Sequence, residues 1–244
     1  MTSAAAPAPL GRLYLIPVPL SATADALFLP PDTLRQVRGL MHFVVEEPKT
    51  ARRHLKEMGH PTPLSQLNIA ELSHRTPSDA LSGLMTPLLK GLDMGLMSEA
   101  GCPAVADPGA LLVRMAHEQG ILVLPLVGPS SLLLALMASG LDGQRFAFQG
   151  YLPTESGLRK TRIEALEKRS RLERETQLFI ETPYRNDVLF AALRDSLTPA
   201  TLLCVASDLT GAAQMVRTLS VAQWRRESAP FLHKSPTVFL FLAI

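Results

Sequence analysis

The sequence has few of the residues that would mark a secreted or a metal-binding protein. Its two cysteines, Cys102 and Cys204, provide no disulfide framework, which favours a reducing compartment. Its six histidines are scattered, and no C-x-x-C or H-E-x-x-H pattern occurs, so no metal ligands are expected. The chain opens with no basic and apolar leader. We therefore expect a cytoplasmic protein in which residues 1–10 form a flexible tail.

Several common catalytic fingerprints are absent as well. No G-x-G-x-x-G follows a predicted strand and no G-x-x-x-x-G-K-[ST] occurs, which excludes the usual Rossmann and P-loop nucleotide sites. No G-x-S-x-G occurs, which excludes the nucleophile elbow of the α/β hydrolases. The chain has 244 residues, of which 47% are hydrophobic and 19% charged. This is the composition of a globular protein with one large or two small domains.

One uncharged stretch, residues 119–141, is long enough to span a bilayer. Pro125, Gly128 and Pro129 at its centre would interrupt a spanning helix and leave backbone groups without hydrogen bonds. A buried strand, a turn and a helix account for the stretch better, so no membrane association is expected. The net charge of +2 permits an RNA partner without requiring one.

Predicted strands and helices alternate along the chain. In the first half, continuous apolar strands separated by helices indicate a mostly parallel sheet with both faces covered. The second half has more strands with shorter connections, which indicates a mixed sheet. The predicted strands are 12–20, 42–47, 94–98, 121–127, 145–153, 176–182, 201–209, 215–220 and 236–244, and the predicted helices are 31–40, 49–59, 76–92, 109–119, 130–139, 157–174 and 184–197. The sequence thus predicts two α/β domains, at 11–127 and 128–244.

Small residues and prolines collect where the predicted strands end. The loops are "PVP" at 17–19, "SEAGCPAVADPG" at 98–109, "GPSS" at 128–131, "GYLP" at 150–153 and "ETPYRN" at 181–186. Ligands of open α/β sheets bind at the carboxyl ends of the strands, where these loops lie. Gly101 and Gly109 would let a ligand approach the backbone closely, and the helix after Gly128 would offer N–H groups to a carboxylate. Each loop alone is also compatible with a plain connection between two elements.

In their order and content, these five loops resemble the motifs of the tetrapyrrole methylase superfamily of S-adenosylmethionine-dependent methyltransferases. Within that superfamily, the chain most resembles the branch of the small-subunit ribosomal RNA 2'-O-ribose methyltransferases. The resemblance extends from Gly11 to the last predicted strand. The matching motifs are Gly11-Arg-Leu-Tyr-Leu-Ile-Pro17-Val-Pro19, Ser98-Glu99-Ala-Gly101-Cys-Pro103 with Asp107-Pro108-Gly109, Pro125-Leu-Val-Gly128-Pro129-Ser130-Ser131, Phe148-Gln-Gly150-Tyr151-Leu-Pro153 and Glu181-Thr-Pro183-Tyr184-Arg185.

The resemblance implies that S-adenosylmethionine is the cofactor and lies folded in a cleft between the two domains, held largely by backbone groups. Pro17 would flank its methionine end, and Ser130 and Ser131 would meet its polar parts. The residues expected to line the remaining cofactor surface are Glu99, Ala100, Gly101 and Pro103 in the first domain and Ala206, Met215, Pro236 and Thr237 in the second. The family also implies a homodimer.

Three family motifs are altered here, all on the side expected to receive the acceptor. The first loop, P-T-P-I-G-N-L in the family, reads Pro17-Val-Pro19-Leu-Ser21 and lacks the glycine and the asparagine. The family's E-D-T-R reads Glu46-Glu47-Pro48-Lys49, which keeps the acid and loses the arginine. A later E-L-T-K reads Asp208-Leu-Thr210-Gly211, which loses the lysine. Cofactor binding is therefore better supported by sequence than the identity of the acceptor.

Transfer to a ribose hydroxyl requires a nearby base, because the unassisted ionisation of that hydroxyl lies far from neutral pH. Glu46 and Glu47 match the family's acidic position, and Asp208 and Glu181 are alternatives. Each of the four carboxylates is also compatible with an ordinary solvated loop position.

Two clusters of basic residues would suit an RNA acceptor. Arg52, Arg53 and Lys56 share one predicted helix, and a second cluster runs from Arg159 to Arg174. Both clusters are equally compatible with solvated helix faces. Two alternatives to an RNA methyltransferase remain open at this stage: a methyltransferase acting on a small molecule, and a non-catalytic S-adenosylmethionine-binding protein.

Overall fold

A computed structural model describes residues 9–21, 28–73 and 75–244, without the side chain of Ser78. Most of the predicted tail, residues 1–8, lies outside this range. Contacts between Cα atoms divide the described chain into two compact units. The first ends at Ser130 and the second runs from Ser131 to Ile244, with Leu20 and Ser21 assigned to the second.

The first unit contains a five-stranded sheet in the order β3-β2-β4-β1-β5, in which every neighbouring pair is parallel. The strands are β1 (Leu13–Leu15), β2 (His42–Val45), β3 (Asn68–Glu71), β4 (Met94–Met97) and β5 (Val123–Pro125). The helices are α1 (Pro31–Arg38), α2 (Pro48–Glu57), α3 (Leu81–Leu84), α4 (Thr86–Leu89) and α5 (Ala110–Glu118). The predicted parallel sheet is confirmed.

Both faces of this sheet are covered, because successive side chains of a strand point to opposite faces. Tyr14 and Phe43 pack with α1 and α2, whereas Leu13 and Val44 pack with α3, α4 and α5. Gly95 leaves room on the first of these faces, since a Cβ there would lie 2.4 Å from Cδ1 of Ile16. Because helices cover both faces, the loops that connect the strands lie at the two ends of the sheet.

Two features of the first unit differ from the sequence-based prediction. The single helix predicted at 76–92 is wrong: α3 and α4 are separate four-residue helices that meet at Met85. Pro87 explains the break, because it has no N–H to donate to the carbonyl of Gly83. Strand β3 was not predicted, since its four residues show only a short alternation and none of them is fully buried.

The second unit contains a mixed five-stranded sheet in the order β6-β7-β10-β8-β9. The strands are β6 (Phe146–Tyr151), β7 (Thr176–Ile180), β8 (Leu202–Ser207), β9 (Met215–Ser220) and β10 (Thr237–Leu242). Only β6 and β7 pair in parallel. The helices are α6 (Ser131–Ser139), α7 (Ser156–Glu173), α8 (Asn186–Ser196) and α9 (Val221–Trp224). The predicted mixed sheet is confirmed.

The second sheet is also covered on both faces. Ile163 of α7 and Leu193 of α8 pack with Phe179 and Phe239 on one face. Ala135 and Leu136 of α6 pack on the other face, against β8 and β10. Among the described residues, none of the helices combines the length and the apolar character that crossing a membrane requires.

Candidate functional site

The carboxyl end of the parallel sheet carries the loops that the sequence singled out. The segment after β1 and the loop after β4 are joined by an antiparallel bridge between Val18 and Gly101. The Val18 N–H donates to the Gly101 carbonyl at 2.9 Å, and the Gly101 N–H donates to the Val18 carbonyl at 3.1 Å. Pro17, Ala100, Gly101 and Pro103, which the sequence predicts to contact the cofactor, therefore lie on two loops joined at the carboxyl end of the sheet.

The loop at 98–109 has an unusual backbone. Gly101 (φ 68°), Ala104 (φ 65°), Ala106 (φ 64°) and Gly109 (φ 132°) all have positive φ angles. Two alanines in this region are strained, because their Cβ atoms disfavour it. Such strain persists only where the surroundings fix the chain, and it concentrates at ligand-binding loops. The observed outlier backbone thus supports a binding role for this loop.

Gly128 places the loop after β5 against the segment after β1. A Cβ at Gly128 would lie 2.5 Å from Cβ of Pro17 and 3.0 Å from Cδ2 of Leu29, so only glycine allows this approach. The buried Thr33 hydroxyl of α1 donates to the Val127 carbonyl at 2.7 Å and fixes the same loop. Ser130, at the end of this loop, therefore lies at the same end of the sheet as Pro17.

Cys102 lies in the first of these loops and lacks the features of a nucleophile. Its thiol faces the Pro129 carbonyl at 3.5 Å. Burial raises the pKa of Cys102, so the thiol stays protonated at neutral pH. We assign this residue a packing role.

Three carboxylates stand at the ends of β2 and β4. Glu46 accepts from the Glu99 N–H at 3.2 Å, which joins the two loops. Glu47 caps α2 and accepts from the N–H groups of Lys49 at 3.0 Å and of Thr50 at 2.5 Å. These backbone hydrogen bonds lower the pKa of Glu47. Desolvation raises the pKa of Glu99, and the charges of Glu46 and Glu47 raise it further.

A buried histidine, which the sequence did not single out, braces the same loop. His54 of α2 is 2% exposed, and its Nε2 lies 3.0 Å from the Glu99 carbonyl oxygen. Because a carbonyl only accepts, Nε2 carries the proton of this hydrogen bond. Nδ1 lies 3.4 Å from Oε2 of Glu57 on the next turn of α2. The sequence signal for His54 is its position: together with Ala51 and Leu55 it lies on the buried face of the amphipathic helix α2.

The second unit brings most of its predicted residues together at one end of its sheet. Ala206 of β8 is followed by Ser207, which pairs with Thr237 of β10 and with Met215 of β9. The Thr237 hydroxyl lies 3.0 Å from Oγ of Ser207. The carbonyl of Pro236 accepts from the Asp208 N–H at 2.9 Å. Ser131, the other predicted residue of this unit, is the first residue of α6.

The carboxylate of Asp208 is bound within its own loop. Its Oδ2 accepts from the Ala213 N–H at 2.9 Å, and a Cβ at Gly211 would collide with this carboxylate at 2.1 Å. Asp208 and Thr210 both have positive φ angles, 47° and 67°. The carboxylate therefore shapes the turn between β8 and β9. Glu181, the other alternative base, is buried and accepts from Arg185 at 2.6 Å.

Comparison with solved structures identifies the fold. The chain superposes on the crystal structure of the methyltransferase CobJ with a TM-score of 0.62 over 96% of this chain and 94% of that one, at 17% identity. The fold is therefore that of this class of methyltransferase. No family model matches the chain.

Comparison with curated proteins defines the family. The chain is 30% identical over 213 residues to the ribosomal RNA small subunit methyltransferase I of Pseudomonas aeruginosa, covering 87% of this chain and 71% of the relative. It is 32% identical over 201 residues to the protein of that name from Xylella fastidiosa, covering 82% of this chain and 69% of the relative. The chain belongs to the ribosomal RNA small subunit methyltransferase I family. It is a methyltransferase, as the sequence predicted, and its methyl donor is S-adenosylmethionine.

Proposed function

We propose that the protein transfers a methyl group from S-adenosylmethionine to a ribose 2'-hydroxyl of small-subunit ribosomal RNA, in the cytoplasm. The single observation that carries the proposal is the strained loop at 98–109, which is bridged to Val18 at the carboxyl end of the parallel sheet. The curated relatives carry ribosomal RNA in their names, and the sequence motifs on which the family resemblance rests lie in these loops.

The residues of the first unit suit the cofactor. Gly128 packs directly against the ring of Pro17 and leaves no space for a side chain between them, so the two loops lie close together. The hydroxyl of Ser98 is buried and has no hydrogen-bond partner among the described residues. Pro17, Glu99 to Pro103 and Ser130 would hold the cofactor here. In the second unit, Ser131, Ala206, Met215, Pro236 and Thr237 remain the predicted cofactor contacts.

We assign the role of base to Glu46. S-adenosylmethionine supplies an electrophilic methyl group on a sulfonium, so the protein must align the acceptor, exclude water and accept one proton. Glu47 is a helix cap, Asp208 shapes its own turn and Glu181 is paired with Arg185. Glu46 instead binds the amide of Glu99, which connects it to the cofactor loop. Its carboxylate would take the hydroxyl proton as the ribose oxygen bonds to the methyl carbon and the carbon–sulfur bond breaks, which would leave S-adenosylhomocysteine as the neutral product.

Helix α2 is the stronger of the two candidate RNA contacts. Its N-cap is Glu47, at the carboxyl end of the parallel sheet. The helix exposes Arg52 and Lys56 one turn apart. Within the part of the chain that the structure describes, neither of these two side chains forms an ion pair. On α7, by contrast, Arg159 donates to the Thr154 carbonyl at 2.9 Å and Arg162 donates to Oε1 of Gln149 at 2.9 Å. These two arginines of α7 are held by contacts within the fold.

We also propose that two copies associate through α6. This helix packs one side on its sheet and exposes Leu133 and Met137 on another, with Met137 77% exposed. The two side chains are four residues apart and so share a face. Exposed apolar faces of this kind mark interaction surfaces. Light scattering should give the mass of a dimer, and Met137→Lys should shift it towards that of a single chain.

The proposal is tested by following a labelled methyl group. The protein is incubated with labelled S-adenosylmethionine and, separately, with small ribosomal subunits, large ribosomal subunits and a small-metabolite extract. Label in small-subunit RNA supports the proposal. Label in a metabolite would establish a small-molecule methyltransferase, and cofactor binding without transfer to any of the three would establish a non-catalytic binding protein.

The role of α2 is tested by a salt titration of RNA binding. Each lost phosphate contact should reduce the log–log slope by roughly 0.7 to 0.9. We expect Arg52→Glu with Lys56→Glu to lower the slope and leave S-adenosylmethionine affinity unchanged. Arg159→Glu with Arg162→Glu is the matched control and should leave the slope nearly unchanged. Equal slopes for the parent and the α2 variant would exclude α2 as an RNA contact.

A further inference from the structure

Three aromatic rings form a contiguous surface on the second unit. Tyr184 and His233 have ring centroids 5.9 Å apart at an interplanar angle of 74°, and Phe231 and His233 have centroids 6.3 Å apart at 57°. Phe231 is 82% exposed and Tyr184 is 69% exposed. We refer to Tyr184, Phe231 and His233 as the aromatic platform. None of the three side chains contributes to the hydrophobic core of the unit.

The backbone beneath the platform is firmly held. The Lys234 N–H donates to the Pro183 carbonyl at 3.1 Å, and Nδ2 of the buried Asn186 donates to the Ser235 carbonyl at 2.7 Å. Leu232 follows the exposed Phe231 and precedes the half-buried His233; its own side chain is fully buried, and its N–H donates to Asp187 at 3.2 Å. Lys234 has a φ angle of 63°, which costs a residue with a Cβ free energy.

A large ring that stays mostly in water on a fixed backbone contributes little to folding, because it buries only a small part of its apolar area. A rigid exposed aromatic side chain does favour binding, since little conformational entropy is lost when a partner packs on it. The rings are steeply inclined to one another, so each offers its own flat face, and such a face suits a planar aromatic ligand better than an aliphatic one.

The charges beside the platform balance one another and so do not oppose a polyanion. Lys234 is exposed within the loop, and Asp187 accepts from the Leu232 N–H at 3.2 Å. Glu181 is paired with Arg185 at 2.6 Å. Single-stranded RNA combines planar bases with a negative backbone, and stacking on aromatic side chains is a common way of binding it.

We propose that the aromatic platform stacks unpaired bases of the RNA acceptor, which rests on the proposed RNA methyltransferase function. The loop that carries Phe231 and His233 continues directly into Pro236 and Thr237, which the sequence predicts to contact the cofactor. Bases stacked on the platform would thus hold a strand of RNA close to these residues. Double-stranded RNA would not bind there, because its bases are already stacked on each other.

The experiment measures binding of a fluorescent single-stranded oligoadenylate of about ten nucleotides. We expect Phe231→Leu and Tyr184→Leu each to weaken binding by roughly 5- to 150-fold, the range of one lost base stack. Phe231→Trp keeps a ring and should bind like the parent. The salt dependence of the Leu variants should match that of the parent, because no phosphate contact is lost. Phe28→Leu, at an aromatic residue of the first unit that is 55% exposed, is the matched control.

Calorimetric titration with S-adenosylmethionine is run on every variant to separate the outcomes. Unchanged oligoadenylate affinity in both Leu variants would overturn the platform, while the proposed function would stand if the parent still methylates small-subunit RNA. A loss of S-adenosylmethionine affinity in the Leu variants would show that the rings serve the cofactor and would also overturn the platform. A parent that neither binds the oligoadenylate nor methylates RNA would remove the proposed function, and the platform with it.

Discussion

Gly128 lies so close to Pro17 that no side chain fits between them. A Cβ at Gly128 would be 2.5 Å from Cβ and 2.8 Å from Cγ of Pro17, and the two residues follow the paired strands β5 and β1. Because both residues belong to predicted cofactor loops, this contact ties the packing of the first unit to its proposed binding function.

Gly128→Ala should therefore impair cofactor binding. Forcing a methyl group into this contact should destabilise the fold by about 1 to 3 kcal/mol and displace the loop that carries Ser130. Calorimetric titration with S-adenosylmethionine and thermal unfolding measure the two effects. Gly143→Ala is the control, since a Cβ at Gly143 meets nothing within 4 Å. Parent-like affinity in Gly128→Ala would show that the cofactor does not pass over this contact.

His54 should act as a positioning residue for the cofactor loop, through its hydrogen bond to the Glu99 carbonyl at 3.0 Å. His54→Leu fills similar space without the donor and removes a bond of about 0.5 to 1.5 kcal/mol, so S-adenosylmethionine should bind roughly 2- to 12-fold more weakly. His54→Gln places an amide N–H near the position of Nε2 and should restore the affinity. If the Leu and Gln variants bind equally well, the hydrogen bond does not position the loop.

Glu46 and Glu47 should differ in what their removal changes. Glu46→Gln should lower the rate of methyl transfer by roughly 100- to 10,000-fold with little effect on cofactor affinity, because a base is lost. Glu47→Gln should mainly lower the melting temperature, because a helix cap is weakened. Single-turnover rates and melting temperatures of both variants test whether the two substitutions differ in this way. The reverse pattern would move the role of base to Glu47.

The stabilising effect of Glu47 should also depend on pH. Its pKa in the folded protein lies below the ordinary value of 4.5 because the N–H groups of Lys49 and Thr50 donate to the ionised carboxylate. An acid with a lowered pKa stabilises the fold above its unfolded pKa, and this contribution is lost as the pH falls through the lowered value. The difference in melting temperature between the parent and Glu47→Gln should thus be full at neutral pH and shrink as the pH falls below the ordinary pKa of 4.5. A difference that grows on acidification would contradict the capping role.

The architecture could be predicted because the apolar runs of the strands are long and the loops at their ends are rich in glycine and proline. The break at Pro87 was missed because the apolar period continues through it, and β3 was missed because four residues give too short a pattern. The loop at 98–109 was identified from its composition. The left-handed angles of Ala104 and Ala106 were not, because alanine gives no signal for them.

The site could be predicted only as far as local sequence reaches. The distinction between Glu46 and Glu47 depends on which carboxylate caps α2, and the contact of His54 with Glu99 joins residues 45 positions apart. The aromatic platform depends on a similar contact, between the loop after β7 and the loop before β10. Such long-range pairs follow from the packed fold.

The central claim is that a methyl group is transferred to a ribose oxygen of small-subunit RNA, and the position of the transferred methyl tests it most directly. Small ribosomal subunits are labelled with the parent protein and methyl-labelled S-adenosylmethionine, and their RNA is hydrolysed with alkali. A methylated 2'-oxygen blocks cleavage of the neighbouring phosphodiester, so the account predicts label in alkali-resistant dinucleotides and its loss in Glu46→Gln. Label recovered in mononucleotides, which would place the methyl group on a base, or no label in RNA at all would contradict the account.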